Sequence, residues 1–418
     1  MHRQSITQGL RVERPLLRLP IVLLIDDAAP GVHVYHRHFR DVHKEPTVTK
    51  DGRPLLEMIP AGFLDRFIEV VRRRGIKGKL SVVPNPGGDG PVDGEVKGVP
   101  REELREWLRS VRVELAGFMD LCPEMITHNL TVDLETGGFL PLSEHDWSQT
   151  QTEETLTPYI ARALTILRAA GLRPTGVTSP WSFAEAVEAD YVRAIRAAMQ
   201  QVMGLRKSWY FLRVGGPDTR PEVMLYEPDR GACVVSLTPC GIPDFLWQSI
   251  DTPATDDAYV SSLADFALTD DGATGAFLES ERTSGWLIWY THWQSLFSNG
   301  TESGLRALDL AGERVSRLLG ERALWMTAVE AMDYAAAAHG LEVVMDRAAD
   351  GTVSVTASSP FGSRDLTFSL PCPEPPAAVT VNGELLAKAP ENSSILQPMS
   401  WFHHDERLYV AADLEGKG

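Results

Sequence analysis

Residues 21–30 read Ile21-Val-Leu-Leu-Ile-Asp26-Asp27-Ala-Ala-Pro30, and this stretch is the strongest indication of the fold. Its five apolar residues form an unbroken run, which is typical of a strand buried on both faces in a parallel sheet or barrel. Two adjacent carboxylates at the end of such a strand are costly unless a cation, a hydrogen-bond network or a shared proton stabilises them. In α/β folds this end of a strand is where ligands bind. Taken alone, the stretch is explained equally well by an ordinary turn or a helix N-cap.

The chain up to about residue 340 alternates between helix and strand patterns. Amphipathic helices are predicted at 61–74, 101–119, 152–170, 305–319 and 327–338, and strands at 79–83, 123–128, 174–179, 209–213, 232–237, 285–292 and 323–325. Such alternation predicts βαβ units and a parallel sheet. We therefore expect an α/β fold, an irregular (β/α) barrel, over residues 1–340. From residue 341, short β-type runs and the turn signal Asn382-Gly383 predict a small antiparallel, β-sandwich-like domain over residues 341–418.

The composition excludes several classes of protein. The 418 residues carry a formal net charge of −17, which argues against a nucleic-acid or anionic-membrane partner. The cysteines are widely spaced, in neither a zinc-finger pattern nor a dense disulfide pattern. No apolar signal-peptide segment precedes Ile21, and the run that starts there is too short to span a membrane. We expect a cytoplasmic protein with reduced thiols.

Polar side chains follow four of the predicted strands at their carboxyl ends. These are Asp26 and Asp27, then His128, then the segment 178–181, and finally His292. Because the carboxyl ends of parallel strands meet on one side of the fold, we expect one shared site. Asp27 and His128 suit a borderline divalent ion such as zinc. Asp26 could take a proton from water that such an ion activates, and a protonated His292 could donate one to a leaving group.

This arrangement resembles the polysaccharide deacetylase superfamily, also called the NodB-homology or carbohydrate esterase family four fold, over residues 20–338. The family's Asp-Asp-Gly-Pro motif is similar to Asp26-Asp27-Ala-Ala-Pro30, and the first half of its His-x-x-x-His motif to Glu124-Met-Ile-Thr-His128. Its Arg-x-Pro-Tyr motif is similar to Thr178-Ser-Pro180-Trp181, and its Leu-x-x-His motif to the strand ending at His292. The resemblance implies a deacetylase-type barrel, with Asp26 as general base, Asp27 and His128 as metal ligands, and His292 as general acid.

The sequence departs from the family's motifs at three places. Val132 stands four residues after His128, where the family has its second metal-binding histidine. Thr178 or Ser179 replaces the arginine whose charge usually steadies the catalytic aspartate. The family's Asp-x-x-Asp-Trp motif has only a loose counterpart in the segment 244–247. A shared fold does not fix function, so the superfamily is better supported than the activity.

The third metal ligand and the substrate contacts come from other polar and aromatic residues near the predicted site. Four of the 11 histidines lie at positions 33, 36, 38 and 43, directly after the carboxylates. We predict His36 as the third ligand and His38 as a substrate contact. The alternatives for the third ligand are Asp133, His145, His33 and His38, or a site without metal. Trp181 and Trp293 suit stacking on sugar rings, although large aromatics also plug barrel mouths, and Gln294 offers the substrate a hydrogen bond or caps a loop.

Three functions agree with these features. The first is a metal-dependent hydrolase that removes an N- or O-acyl group from a carbohydrate or a similar small amide. The second is a glycoside hydrolase with two carboxylates drawn from Asp26, Asp27, Glu124, Asp133 and Glu144. The third is a non-catalytic carbohydrate-binding relative. The C-terminal β domain stabilises the barrel or forms a subunit contact in a homo-oligomer.

Overall fold

The fold was established from a computed structural model, which describes residues 4–5, 9–216, 218–283, 285–390 and 393–416. In chain order the strands are β1 Gln4–Ser5, β2 Arg11–Val12, β3 Leu19–Ala28, β4 Gly78–Val82, β5 Met119–Pro123, β6 Leu130–Val132, β7 Phe139–Ser143, β8 Gly176–Thr178, β9 Lys207–Phe211, β10 Glu222–Glu227, β11 Ala232–Ser236, β12 Leu287–His292, β13 Ala323–Trp325, β14 Glu342–Arg347, β15 Thr352–Ser358, β16 Ser363–Pro371, β17 Ala378–Val381, β18 Glu384–Leu385, β19 Ala387–Lys388, β20 Ser400–His404 and β21 Arg407–Leu414. The α-helices are α1 Val34–His38, α2 Phe63–Arg74, α3 Arg101–Glu114, α4 Glu144–Ser148, α5 Glu153–Ala169, α6 Glu188–Met203, α7 Asp257–Ala267, α8 Ala276–Thr283, α9 Trp293–Phe297, α10 Ser303–Arg314 and α11 Ala328–His339.

Strand β3 lies inside a parallel sheet, as its apolar run predicts. The sheet has the order β12-β3-β4-β5, and β13 also pairs with β3. Every residue of β3 is buried. Its odd-numbered apolar residues pack into one core and Val22 and Leu24 into another, so both faces of the strand are covered. The register places His292 beside Asp26, at the carboxyl ends of β12 and β3.

A second sheet continues the first without closing a ring. Its order is β10-β11-β9-β8, with β8, β9 and β11 parallel. Isolated bridges join Leu121 to Pro174 and Glu124 to Thr178. At the far edge, the Cys240 backbone N–H donates to the Ile288 carbonyl at 2.8 Å, but no ladder joins β11 to β12 in the described residues. The predicted α/β architecture with a parallel sheet is confirmed, whereas no closed barrel is found in the described part of the chain.

Three of the predicted helices are confirmed, whereas one of the predicted strands is wrong. The helices predicted at 61–74, 152–170 and 327–338 are α2, α5 and α11, and Gly75 ends α2 in a left-handed conformation. The strand predicted at 123–128 is wrong, because β5 ends at Pro123 and the chain then turns back. Met125 and Ile126 are fully buried in that turn, and a short buried apolar run does not distinguish a turn from a strand.

The C-terminal region forms two further sheets that also include the N-terminal strands. Their orders are β1-β14-β15-β17-β18 and β19-β20-β21-β16-β2. Most of these pairs are antiparallel, while β15 with β17 and β19 with β20 are parallel. Asn382-Gly383 forms the predicted two-residue turn between β17 and β18, with both residues at positive φ.

Two properties of the described chain bear on its surroundings. All four cysteines are buried, and none of them forms a disulfide within the described residues. None of the helices in the described ranges combines the length and the apolar character that crossing a bilayer requires.

Candidate active site

Asp27, Glu124 and His128 converge at the carboxyl ends of β3 and β5. One potential ligand atom from each residue lies within 4.8 Å of those from the other two. His128 Nε2 is 2.9 Å from Asp27 Oδ1 and 3.4 Å from Glu124 Oε1. All three side chains are buried. The group therefore consists of one imidazole and two carboxylates aimed at a common point.

The three side chains fit a divalent cation. Asp27 Oδ1 is buried and has no hydrogen-bond partner among the described residues, although His128 Nε2 lies close to it. His128 Nε2 thus faces both carboxylates, at the place where a cation would replace its proton. Histidine nitrogen and carboxylate oxygen are ligands that zinc and related ions accept, and catalytic zinc sites have three protein ligands and an open position. The donor set is consistent with such a site.

Backbone conformation and hydrogen bonds position the group. Asp27 has a left-handed conformation, with φ of 66°, which residues other than glycine adopt at a cost. Its backbone N–H donates to Glu124 Oε2 at 2.7 Å, and the Ser81 hydroxyl donates to the same oxygen at 2.6 Å. Gln294 Nε2 donates to Asp27 Oδ2. Strained backbone of this kind persists only where its surroundings hold it, and it is concentrated at functional sites.

Asp26 is held by a buried lysine from the neighbouring strand. Lys79 on β4 is fully buried, and its Nζ donates to Asp26 Oδ1 and, at 2.8 Å, to the Thr178 hydroxyl. Burial raises the pKa of Asp26, the Lys79 charge opposes this, and the resulting pKa is about 6. The carboxylate is therefore ionised at neutral pH and close to the range in which it can accept a proton.

His292 lies beside Asp26 and is held by Asp244. Its Nδ1 is 2.8 Å from Asp244 Oδ2, which also accepts from the Ser295 hydroxyl at 2.7 Å. Burial lowers the pKa of His292, but the hydrogen bond to Asp244 and the nearby carboxylates outweigh it and raise the pKa to about 9. The imidazole is therefore protonated at neutral pH. An ionised Asp26 and a protonated His292 form a base and an acid on one face of the sheet.

A cavity of about 560 Å³ gives access to these groups. Its aromatic lining includes Tyr35, Trp181, Trp247 and Tyr290. Trp181 is 36% exposed, and its ring lies 4.0 Å from that of His128, centroid to centroid. Trp247 lies 4.9 Å from His292 in the same measure. Aromatic rings thus cover the His128 side and the His292 side of the site.

The structure places the other predicted residues in different surroundings. His36 is not part of the converging group, because its Nδ1 faces the Arg37 guanidinium at 3.1 Å. His38 is buried beneath Trp181, with ring centroids 3.5 Å apart, and burial lowers its pKa to about 2. Trp293 is 1% exposed and packs against Phe63 in the core. The prediction that Trp293 stacks on a sugar is therefore corrected.

The two alternative third ligands outside the histidine cluster also lie apart from the group. Asp133 accepts from the Glu135 backbone N–H in a hairpin turn, at 2.9 Å. His145 lies on α4, where its Nδ1 is 3.3 Å from Gln149 Nε2.

The sequence does not reveal the place of three residues in the site. Glu124 is named above only as a glycosidase carboxylate, although its place four residues before His128 could have indicated a contact between the two side chains. The sequence predicts Lys79 only as the first residue of a strand. Lys79 brings a positive charge to Asp26 from β4, whereas the arginine of the family's motif follows a different strand. Asp244 was noted only in a loose motif, and its contact with His292 needs the three-dimensional structure.

Comparisons with known proteins add distant structural similarities. No protein-family model and no curated protein sequence matches the chain. Similar solved structures include a candidate polysaccharide deacetylase from Mycobacterium smegmatis, with 12% identity over 79% of this chain and 95% of that one and a TM-score of 0.41. Another is Agd3, described as a novel carbohydrate deacetylase, with 12% identity over 99% of this chain and 66% of that one and a TM-score of 0.44. Identity this low transfers no residue roles, so the roles proposed for this chain rest on its own side chains.

Proposed function

We propose that this chain is a metal-dependent hydrolase that removes an N- or O-acyl group from a carbohydrate, in the manner of a divergent polysaccharide deacetylase. The observation that carries the proposal is the group Asp27, Glu124 and His128 beside a base and an acid, Asp26 and His292, in one cavity. Hydrolysis of an amide or ester needs an activated water and a proton for the leaving group, and these five residues can supply both.

Asp27, Glu124 and His128 would hold the ion, with zinc as the proposed metal. A divalent ion in such a site supplies Lewis-acid polarisation of an acyl oxygen and makes water more acidic. The chain itself fixes the ligands before any ion arrives, since Asp27 is held by Gln294 and Glu124 by Ser81. Outer hydrogen bonds of this kind orient the ligands and tune their affinity.

Asp26 and His292 would move the protons. Asp26 accepts a proton from the attacking water as the water oxygen forms a bond to the acyl carbon. His292 donates a proton from its ring to the leaving nitrogen or oxygen as the bond to the acyl carbon breaks. The products are a carboxylic acid and a free amine or hydroxyl on the sugar. Lys79 keeps the Asp26 carboxylate ionised and in place before the reaction.

The cavity suits a sugar ring. Trp181 exposes part of its ring beside His128, and sugar rings present apolar C–H faces that pack on aromatic rings. His38 would support Trp181 from below rather than contact the substrate, because the His38 ring is buried against it.

Metal content tests the proposal directly. We expect stoichiometric zinc or another transition metal in the wild-type protein by mass spectrometry, and its loss in the Asp27→Ala, Glu124→Ala and His128→Ala variants. His36→Ala and Asp133→Ala are matched controls that should keep the metal, because neither residue joins the group. The loaded protein should release acetate from N- or O-acetylated oligosaccharides, and Asp26→Asn should stop this release without removing the metal.

Two results would contradict the proposal. One is a wild-type protein that takes up no metal under any loading condition. The other is a loaded protein that releases no acid from any acylated sugar.

The glycoside hydrolase alternative is not favoured by the positions of its carboxylates. Glu144 is fully buried and accepts hydrogen bonds from the backbone, and Asp133 holds a hairpin turn. Glu124 and Asp27 both face His128. Among the five carboxylates named for this function, these contacts leave Asp26 without a second one that is free to act on a glycosidic bond.

A further inference from the structure

Glu144 is a buried carboxylate whose hydrogen bonds are concentrated on the turn that carries two of the proposed ligands. It is the first residue of α4 and is 0% exposed. Its Oε1 accepts from the backbone N–H groups of Ile126 and Thr127 at 2.9 and 3.0 Å. Its Oε2 accepts from the backbone N–H of His128 at 2.8 Å. One side chain thus binds three consecutive backbone donors.

The turn at 124–128 has a backbone that needs such support. Met125 and His128 have φ of 46° and 51°, a left-handed backbone conformation that residues other than glycine adopt at a cost in free energy. The turn exposes consecutive N–H groups to the protein interior, where unpaired donors are strongly unfavourable. Glu144 pairs these donors from one direction. The conformation of the turn therefore depends on this carboxylate.

The hairpin that follows the turn brings Glu144 back to it. Strands β6 and β7 pair Leu130 with Ser143, so the residues just outside this pair, Asn129 and Glu144, come together. The Glu144 backbone N–H donates to the Asn129 carbonyl at 2.9 Å. The Tyr159 hydroxyl on α5 donates to Glu144 Oε1 at 2.7 Å and adds a side-chain donor to the backbone donors of the turn.

We propose that Glu144 is a positioning residue for the metal site, which holds the turn 124–128 so that Glu124 and His128 face Asp27. This inference rests on the proposed function. Both carboxylate oxygens of Glu144 accept from backbone N–H groups of the turn, and a side chain with only one acceptor oxygen cannot bind all of these donors. In the Glu144→Gln variant the amide would replace one acceptor with a donor that faces a backbone N–H, and the turn would shift.

Zinc affinity and local hydrogen exchange test the proposal on the full chain. The zinc dissociation constant is measured by competition with a chelating dye, and backbone exchange is measured on the peptide that covers residues 125–129. We expect Glu144→Gln to weaken zinc binding roughly 10- to 100-fold, as for other residues that orient ligands, and to speed exchange at 126–128. Tyr159→Phe should have a smaller effect in the same direction. Glu135→Gln is the matched control, since Glu135 is exposed on the same hairpin, and it should change neither quantity.

Three results decide against the proposal. Wild-type zinc affinity and exchange in Glu144→Gln would overturn it. So would a lower unfolding midpoint with an unchanged dissociation constant, because that is the signature of a role in stability alone. If Glu144→Gln does not fold, a folded Tyr159→Phe with wild-type affinity and exchange would overturn it as well.

The proposed function fails separately, if the wild-type protein binds no zinc. Exchange then decides the role of Glu144 by itself. Slow exchange at 126–128 in the wild type that becomes fast in Glu144→Gln supports the part of the proposal in which Glu144 holds the turn, and equal exchange rates in the two proteins overturn that part as well.

Discussion

At the scale of single residues, the protonation of His292 depends on Asp244. Asp244 accepts from Thr291 and Ser295 as well as facing His292, so its carboxylate is fixed on the ring. Burial would lower the pKa of His292, but the contact with Asp244 and the charges of Asp27 and Asp26 outweigh burial and raise the pKa to about 9. A general acid acts only in its protonated form. The proposed activity should therefore fall as the pH rises through about 9.

Replacing Asp244 should move this alkaline limit. In Asp244→Asn the pKa of His292 loses its main upward contribution, so the acid deprotonates at lower pH. We expect the alkaline limb of kcat/KM against pH to shift down by about one unit or more, with activity near pH 6 less affected. The measurement is acetate release across a pH series, with Asp229→Asn, an exposed aspartate, as the control. An unchanged alkaline limb would show that His292 is not the acid.

At the scale of elements, the sequence predicts strand ends better than turns. Asp26, Asp27 and His292 end buried strands, and a periodic or continuous apolar pattern locates such ends. Glu124 and His128 lie on a turn whose buried residues resemble a strand in sequence, so the convergence of Glu124 with Asp27 and His128 is not predicted. Contacts between strands, such as that of Lys79 with Asp26, depend on sheet order and register, which no local pattern encodes.

The pairing of β3 with β4 brings Lys79 to Asp26. Gly78 begins β4, and a Cβ there would lie 1.8 Å from the Leu23 carbonyl oxygen, which is main chain and cannot move aside. Gly78→Ala should therefore separate the strands, displace Lys79 from Asp26 and destabilise the protein by on the order of 4 kcal/mol or more.

Gly383→Ala is the matched control for this substitution. Gly383 has φ of 89° and nothing within 4 Å of an added Cβ, so only the backbone cost of about 1 kcal/mol is expected. Urea unfolding of the two variants gives the comparison. Similar destabilisation of both would mean that the β3–β4 contact tolerates a side chain.

At the scale of the whole molecule, one apolar core extends from the parallel sheets into the C-terminal sheets. The same cluster contains Val22 and Ile288 of the parallel sheet and Phe368 and Val410 of the C-terminal region. Helix α11 lies between them, and its Tyr334 hydroxyl donates to the Glu13 carbonyl at 2.7 Å. Strand β2 belongs to the same C-terminal sheet as β16. The division at residue 340 thus follows the sequence pattern but crosses a continuous core.

A chain that ends at Gly340 should therefore fail to fold as an independent unit. Loss of the region after residue 340 would expose apolar residues of α11 and of the parallel sheets, which are buried against the C-terminal sheets. Strand β2 would also lose its partner, β16. We expect aggregation in size-exclusion chromatography and a loss of cooperative urea unfolding, whereas a chain that ends at Gly416 should behave as the full protein does. A monomeric 1–340 chain with cooperative unfolding and wild-type zinc affinity would contradict this expectation, and would make the first 340 residues a domain that needs no C-terminal support.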